Sequence, residues 1–199
     1  MKRPTAAAAI AAALLLSACA GPDEPAPAPV ERVGDDVPMN PDGAELVPRG
    51  GAGAPRGPLP AAADVDSSDA DAVADAVAVT NFVVDTRVDR SPFDGLRRAA
   101  PWLTRSYAAA IDQPVPSTGG RDWNALAAAD GYTTARATPS DETQGGKQDG
   151  SKRLLTRIVT VTKYDADNKK VGEDSVGVVL TLTRASTRAP WRVDAITTI

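Results

Sequence analysis

Cys19 is the only cysteine of the chain and follows directly on Leu16-Ser17-Ala18, at the end of a short apolar run that begins behind Lys2 and Arg3. A lone thiol can be acylated or oxidised, but it cannot close a disulfide within its own chain. The 199 residues contain no histidine, which removes the commonest general base and the commonest transition-metal ligand together. Serine-histidine triads, zinc hydrolases and imidazole pH switches are thereby excluded. Gly145-Gly146-Lys147 and Gly150-Ser151-Lys152 have neither the spacing nor the preceding strand of a phosphate loop. Arg97-Arg98 and Lys152-Arg153 are isolated basic pairs in a charge-balanced region, a pattern that predicts no nucleic-acid partner. Asp64, Asp66, Asp69 and Asp71 lack the glycine and terminal glutamate of a calcium loop, and their expected task is to cap a helix. Neither a metal nor a cofactor is expected. Trp102, Trp123 and Trp191 could form a carbohydrate platform, but their spacing suits core anchors better.

The elements around Cys19 give its thiol a use. Lys2 and Arg3 make a basic start, and Thr5 to Leu16 is apolar but too short for a permanent membrane span. With small residues leading into the cysteine, Leu16-Ser17-Ala18-Cys19 resembles the lipobox of bacterial lipoproteins. The resemblance implies diacylglycerol on the Cys19 thiol, cleavage between Ala18 and Cys19, and a mature protein held by lipid on the extracytoplasmic face of the cell membrane. The alternative is an ordinary secretory signal ending in Ser-Ala-Cys-Ala. The bias to Ala, Val, Asp, Arg, Gly and Pro suggests a high-GC genome and fits an actinobacterium.

Charge divides the remainder of the chain in two. From Ala20 to Ser68 nine acids face three bases, a net of minus six, whereas seventeen of each balance from Asp69 to Ile199. Ten prolines lie between Pro22 and Pro60, with no hydrophobic periodicity. Such a segment buries too little apolar surface to offset chain entropy, so residues 19–66 are expected to form a disordered acidic tether. A folded domain is expected over 67–199. Val73, Val77, Val84 and Val88 recur at helical spacing, with Val79, Phe82 and Val83 widening the apolar face, which predicts a helix from about Asp69 to Asp85 that Ser67 or Ser68 can cap. Ser91-Pro92 predicts a second helix over Phe93 to Ala100; a third runs from Trp102 to Ile111, and a short one from Asp122 to Ala129. From Gly131 the period changes to two. Tyr132 to Thr138, Lys152 to Tyr164, Val171 to Arg184 and Trp191 to Thr198 read as strands, with Asp165 to Asn168 as a hairpin turn and Glu142 to Gly150 as a polar loop. On the third strand Val176, Val178, Leu180 and Leu182 share a face; on the fourth Trp191, Val193 and Ala195 do. Helices followed by an antiparallel meander predict an α+β fold with the helices on one face of a bent sheet.

That element order, closing on Trp191-Arg192-Val193-Asp194, resembles the NTF2-like (cystatin-like) cone. Within it, the pattern is similar to the extracytoplasmic domains of Mce-associated proteins and of VirB8/TcpC-like components of conjugation machines. The resemblance implies a non-catalytic interaction module in an envelope transfer or transport assembly, with an envelope protein as partner. An alternative is a binding protein that takes a small apolar ligand in the cone. Cones of this kind also house ketosteroid-isomerase-like enzymes, in which an Asp base works beside a Tyr donor. The matching residue types here are Tyr107, Asp112, Tyr132 and Asp194. The bland expectation is that Asp194 pairs with Arg184 or Arg192 and that the tyrosines pack with their hydroxyls at the rim.

Overall fold

A computed structural model describes residues 53–112, 120–140 and 150–199. The expected signal peptide, Cys19, the expected tether up to residue 52, Pro114, Pro116 and nearly all of the expected 142–150 loop lie outside the described residues. The elements are α1 (Ala70–Phe82), α2 (Asp94–Arg98), a 3-10 turn (Ala100–Trp102), α3 (Arg105–Ile111), α4 (Gly120–Ala128), β1 (Tyr132–Pro139), β2 (Lys152–Tyr164), β3 (Lys170–Thr183) and β4 (Arg192–Thr198). The strands form one antiparallel sheet in the order β1-β2-β3-β4. The fold is therefore α+β, with helices first and a meander after them. No helix among the described residues is long and apolar enough to cross a membrane.

Helix α1 is capped by Asp69 rather than by Ser67 or Ser68: the Asp69 side chain accepts from the Asp71 N–H at 2.9 Å. Ser68 turns the other way, donating its N–H and hydroxyl to Asp66 at 2.8 and 2.7 Å. The helix stops at Phe82, short of the expected Asp85. Val83 is extended, and β1 takes over the freed backbone groups: the Thr133 hydroxyl donates to the Phe82 carbonyl at 2.6 Å and accepts from the Val84 N–H at 2.9 Å. Inside, Val73 and Val77 of α1 meet Val159, Val178, Leu180, Leu182 and Val193 of the sheet, all fully buried. Each such side chain contributes about 1.5–3 kcal/mol relative to exposure, which makes this layer the main source of stability.

The second helix is trimmed at both ends. The Asp94 carboxylate accepts from the N–H groups of Arg90 and Ser91, and only Asp94–Arg98 is α-helical. Gly95 lets α2 sit on the end of α1, since a Cβ there would lie 2.4 Å from the Asn81 carbonyl. The expected third helix is split. Leu103 is extended and bridges to Val193, and Thr104 then caps α3 by accepting from the Tyr107 N–H at 3.2 Å.

The strand ends fall within a residue of expectation, except that a bulge breaks the parity of β4. Leu182 pairs with Val193 but Thr181 pairs with Ala195, so Asp194 is the unpaired residue. Ala195 therefore does not share the Val193 face; Ile196, opposite Leu180, packs against the core in its place.

Residues 53–66, expected in the tether, lie against the domain instead. Gly57 is buried, and a Cβ on it would sit 2.2 Å from the Thr133 carbonyl and 2.7 Å from Val83. Val65 packs on the core, and the Ser67 carbonyl accepts from the Trp191 N–H at 2.8 Å. This strap is fixed by contacts that composition does not encode.

Candidate functional site

The candidate residues are placed apart. Tyr107, on α3, is half-buried against the core; burial pushes its hydroxyl pKa up, against a smaller opposing effect of its hydrogen bond with the Ile196 backbone. Asp112 caps the far end of α3 and is exposed. Asp194 is exposed and accepts from the Thr104 hydroxyl at 2.9 Å. That bond replaces the expected pairing with Arg184 or Arg192, whose guanidinium groups donate to backbone carbonyls. Tyr132 opens β1 at the other end of the sheet; its hydroxyl donates to Asn168 at 3.1 Å and its ring stacks on Tyr164 with 5.1 Å between centroids. No Asp carboxylate of this set is bonded to a Tyr hydroxyl of the set, so the pairing that an acid–base site requires is not assembled. Asp194→Asn is expected to shift stability by no more than about 0.5 kcal/mol, because a surface amide can still accept from Thr104. A larger drop in the urea midpoint would show that Asp194 holds more than that cap.

Among the described residues, three ionic groups that residue pattern alone does not mark are buried. Asp85 is 1% exposed and accepts from Arg56 through its backbone N–H at 2.9 Å and its Nε and Nη2 at 2.8 Å each. Burial pushes the Asp85 pKa up, but the hydrogen bonds from Arg56 and Arg87 outweigh it and hold the carboxyl below its ordinary range. The Arg56 guanidinium also lies 4.4 Å over the Tyr132 ring. Asp89 is held by Arg98, which donates as well to the Val83 carbonyl. Arg157, inward on β2 and 2% exposed, is held by Asp71 at 2.5 Å and by Asp75 of α1. The Arg56–Asp85 and Arg157–Asp71/Asp75 pairs join segments far apart in sequence, the Asp89–Arg98 pair is local, and each charge has its partner in place, as buried charges require.

An apolar space lies between the end of α1, α4 and the inner face of β2 and β3. It is a cleft of about 250 Å3 walled by Phe82, Val84, Trp123, Leu126, Val161 and Val176. Trp123 and Leu126 are neighbours on one face of α4 and are both buried, 4% and 7% exposed. At the rim, Lys163 Nζ is 2.7 Å from Asp174 and 3.8 Å from Asp122. The Asp174 hydrogen bond raises the Lys163 pKa and keeps the ammonium charged. The cleft is not legible in the sequence because its walls come from four separate elements, although the Trp123/Leu126 spacing marks one of them. The remaining tryptophans are core residues: Trp102 is 5% exposed and Trp191 2%.

On the opposite face of the sheet, Ile158 is paired with Gly177 and Val179 lies two residues along β3. Ile199, 71% exposed, donates its N–H to the Gly177 carbonyl, and its side chain occupies the space that a Gly177 side chain would take. Threonines border this stripe at positions 160, 181 and 197. No family model matches this chain, and neither the curated proteins nor the solved structures contain a significant match to it.

Proposed function

We propose that the chain is a lipid-anchored extracytoplasmic lipoprotein whose domain, an NTF2-like cone, is a non-catalytic interaction module of a cell-envelope transfer or transport assembly. The observation that carries the docking role is the stripe of Ile158, Val179 and Ile199 on the sheet face away from α1. The cone reading is supported by α1 lying across the inner face of a four-strand meander. The non-catalytic reading draws on the dispersal of Tyr107, Asp112, Tyr132 and Asp194 and on the pairing of Asp85, Asp89 and Arg157. The anchor rests on Leu16-Ser17-Ala18-Cys19.

Both halves can be tested. Cys19→Ser is expected to leave the protein unprocessed or to release it from the membrane fraction, since stable anchoring needs more than one acyl chain and a lipoprotein cysteine supplies them. A cleaved Cys19→Ser chain that stays with the membrane overturns the anchor. Val179→Glu puts a charge on the apolar stripe without touching the core. It is expected to keep the thermal midpoint within a few degrees yet to move the protein out of a high-mass complex on native gels of solubilised membranes. Wild-type protein that runs alone, or a complex that tolerates Val179→Glu, overturns the docking role.

A further inference from the structure

We infer that the cleft between α1, α4 and the inner sheet face is a binding site for one single-ring group carrying no charge or one positive charge, and that its rim excludes anions. Size sets the first limit. Apolar cavities of about 150 Å3 accept benzene, so about 250 Å3 takes a ring with one short substituent. The walls set the second: Phe82 and Trp123 offer aromatic surface, with Leu126, Val161 and Val176 completing an apolar lining. The Thr133 hydroxyl also faces this space but is committed to Phe82 and Val84, so it offers no hydrogen bond to a ligand. Asn81, whose side chain has no protein hydrogen bond among the described residues, is the neutral polar group left to meet a substituent.

Charge sets the third limit. Asp122 and Asp174 stand at the rim with Lys163, two carboxylates to one ammonium. Lys163 is neutralised by Asp174 at 2.7 Å, which leaves Asp122, exposed and 3.8 Å from the same ammonium, as the net charge an incoming ligand meets. A carboxylate on the ligand would face that excess and would have to displace Asp174 to reach Lys163. An alcohol or an ammonium meets no such barrier. This site is on the other side of the sheet from the Ile158/Val179/Ile199 stripe, so it can fail without affecting the docking reading, and the reverse also holds.

The test uses three probes of one shape, benzyl alcohol, benzylammonium and benzoate, titrated into the full-length Cys19→Ser chain while methyl resonances are followed by NMR. Benzyl alcohol and benzylammonium are expected to shift Leu126, Val161 and Val176 saturably, and benzoate to bind at least fivefold more weakly. Val176→Phe fills the cleft and is expected to weaken both binding probes at least tenfold. Asp174→Asn frees Lys163 and is expected to bring benzoate within about twofold of benzylammonium. Absence of saturable shifts in the wild-type chain, equal binding of benzoate there, or shifts that survive in a folded Val176→Phe chain would each overturn the assignment.

Discussion

Trp191→Ala is expected to remove about 3–5 kcal/mol of stability, the usual cost of deleting a buried aromatic, and so to leave a domain of ordinary stability close to unfolding. The indole is 2% exposed and belongs to the main core with Leu180, Leu182 and Val193. Arg184 lies 4.4 Å over its ring and Arg153 5.6 Å, so truncation also removes two cation–π contacts. Its backbone N–H holds the Ser67 carbonyl just ahead of α1, which ties the start of the helix to the start of β4. Trp191→Phe keeps most of the buried area and is expected to lose less than half as much. Urea unfolding decides the matter: the midpoint falls while the slope stays constant, because the same surface is exposed on unfolding. A loss below 1 kcal/mol for Trp191→Ala would mean that the ring is not a core element.

Strand periodicity carries most of the fold because each strand is half-buried: Val178, Leu180 and Leu182 face the helices while Val179 and Thr181 do not, and an alternation of that kind is written in residue types. The bulge at Asp194 is not written there, since it arises from fitting Leu103 and Thr104 against Val193, a contact between residues ninety positions apart. Helix ends are less legible than strand ends for a similar reason. Phe82, Val83 and Val84 continue an apolar pattern compatible with helix, and it is the start of β1 that ends it, through the Thr133 hydroxyl and backbone N–H and the bridge of Asp85 to Tyr132. The strap reads as tether because glycine and proline signal flexibility locally, whereas Gly57 is there to let the backbone approach Thr133. Among the candidate residues, Tyr132 and Tyr107 are placed in packed surroundings, but residue type alone could not show that Asp85 and Asp89, rather than Asp194, are buried carboxylates.

Asp85→Ala is expected to cost about 2–4 kcal/mol and to free the strap. Removing one member of a buried pair strands the other, but Arg56 is 22% exposed on its side chain and can swing partly into water, which places the cost below that of a fully enclosed pair. The carboxylate also accepts from the backbone N–H groups of Arg56 and Arg87, at 2.9 and 3.1 Å, and these lose their partner together with the guanidinium. Two readouts separate the pair from general destabilisation. Limited proteolysis should cut within residues 53–66 of the variant under conditions where α1 and the sheet stay intact, and Arg56→Met should expose the same segment through loss of the guanidinium alone, because the Asp85 carboxylate still accepts from the backbone N–H groups of residues 56 and 87. The pH dependence follows from the lowered pKa of Asp85: the stability it supplies is full above the ordinary carboxylate range, near pH 4, and is lost as pH falls through the lower value of the folded state. Wild-type protein should therefore lose stability in acid more steeply than Asp85→Ala over that interval. Equal acid slopes, or a strap in Asp85→Ala as resistant to protease as in the wild type, would show that the contacts of Gly57 and Val65, rather than the ion pair, hold these residues to the domain.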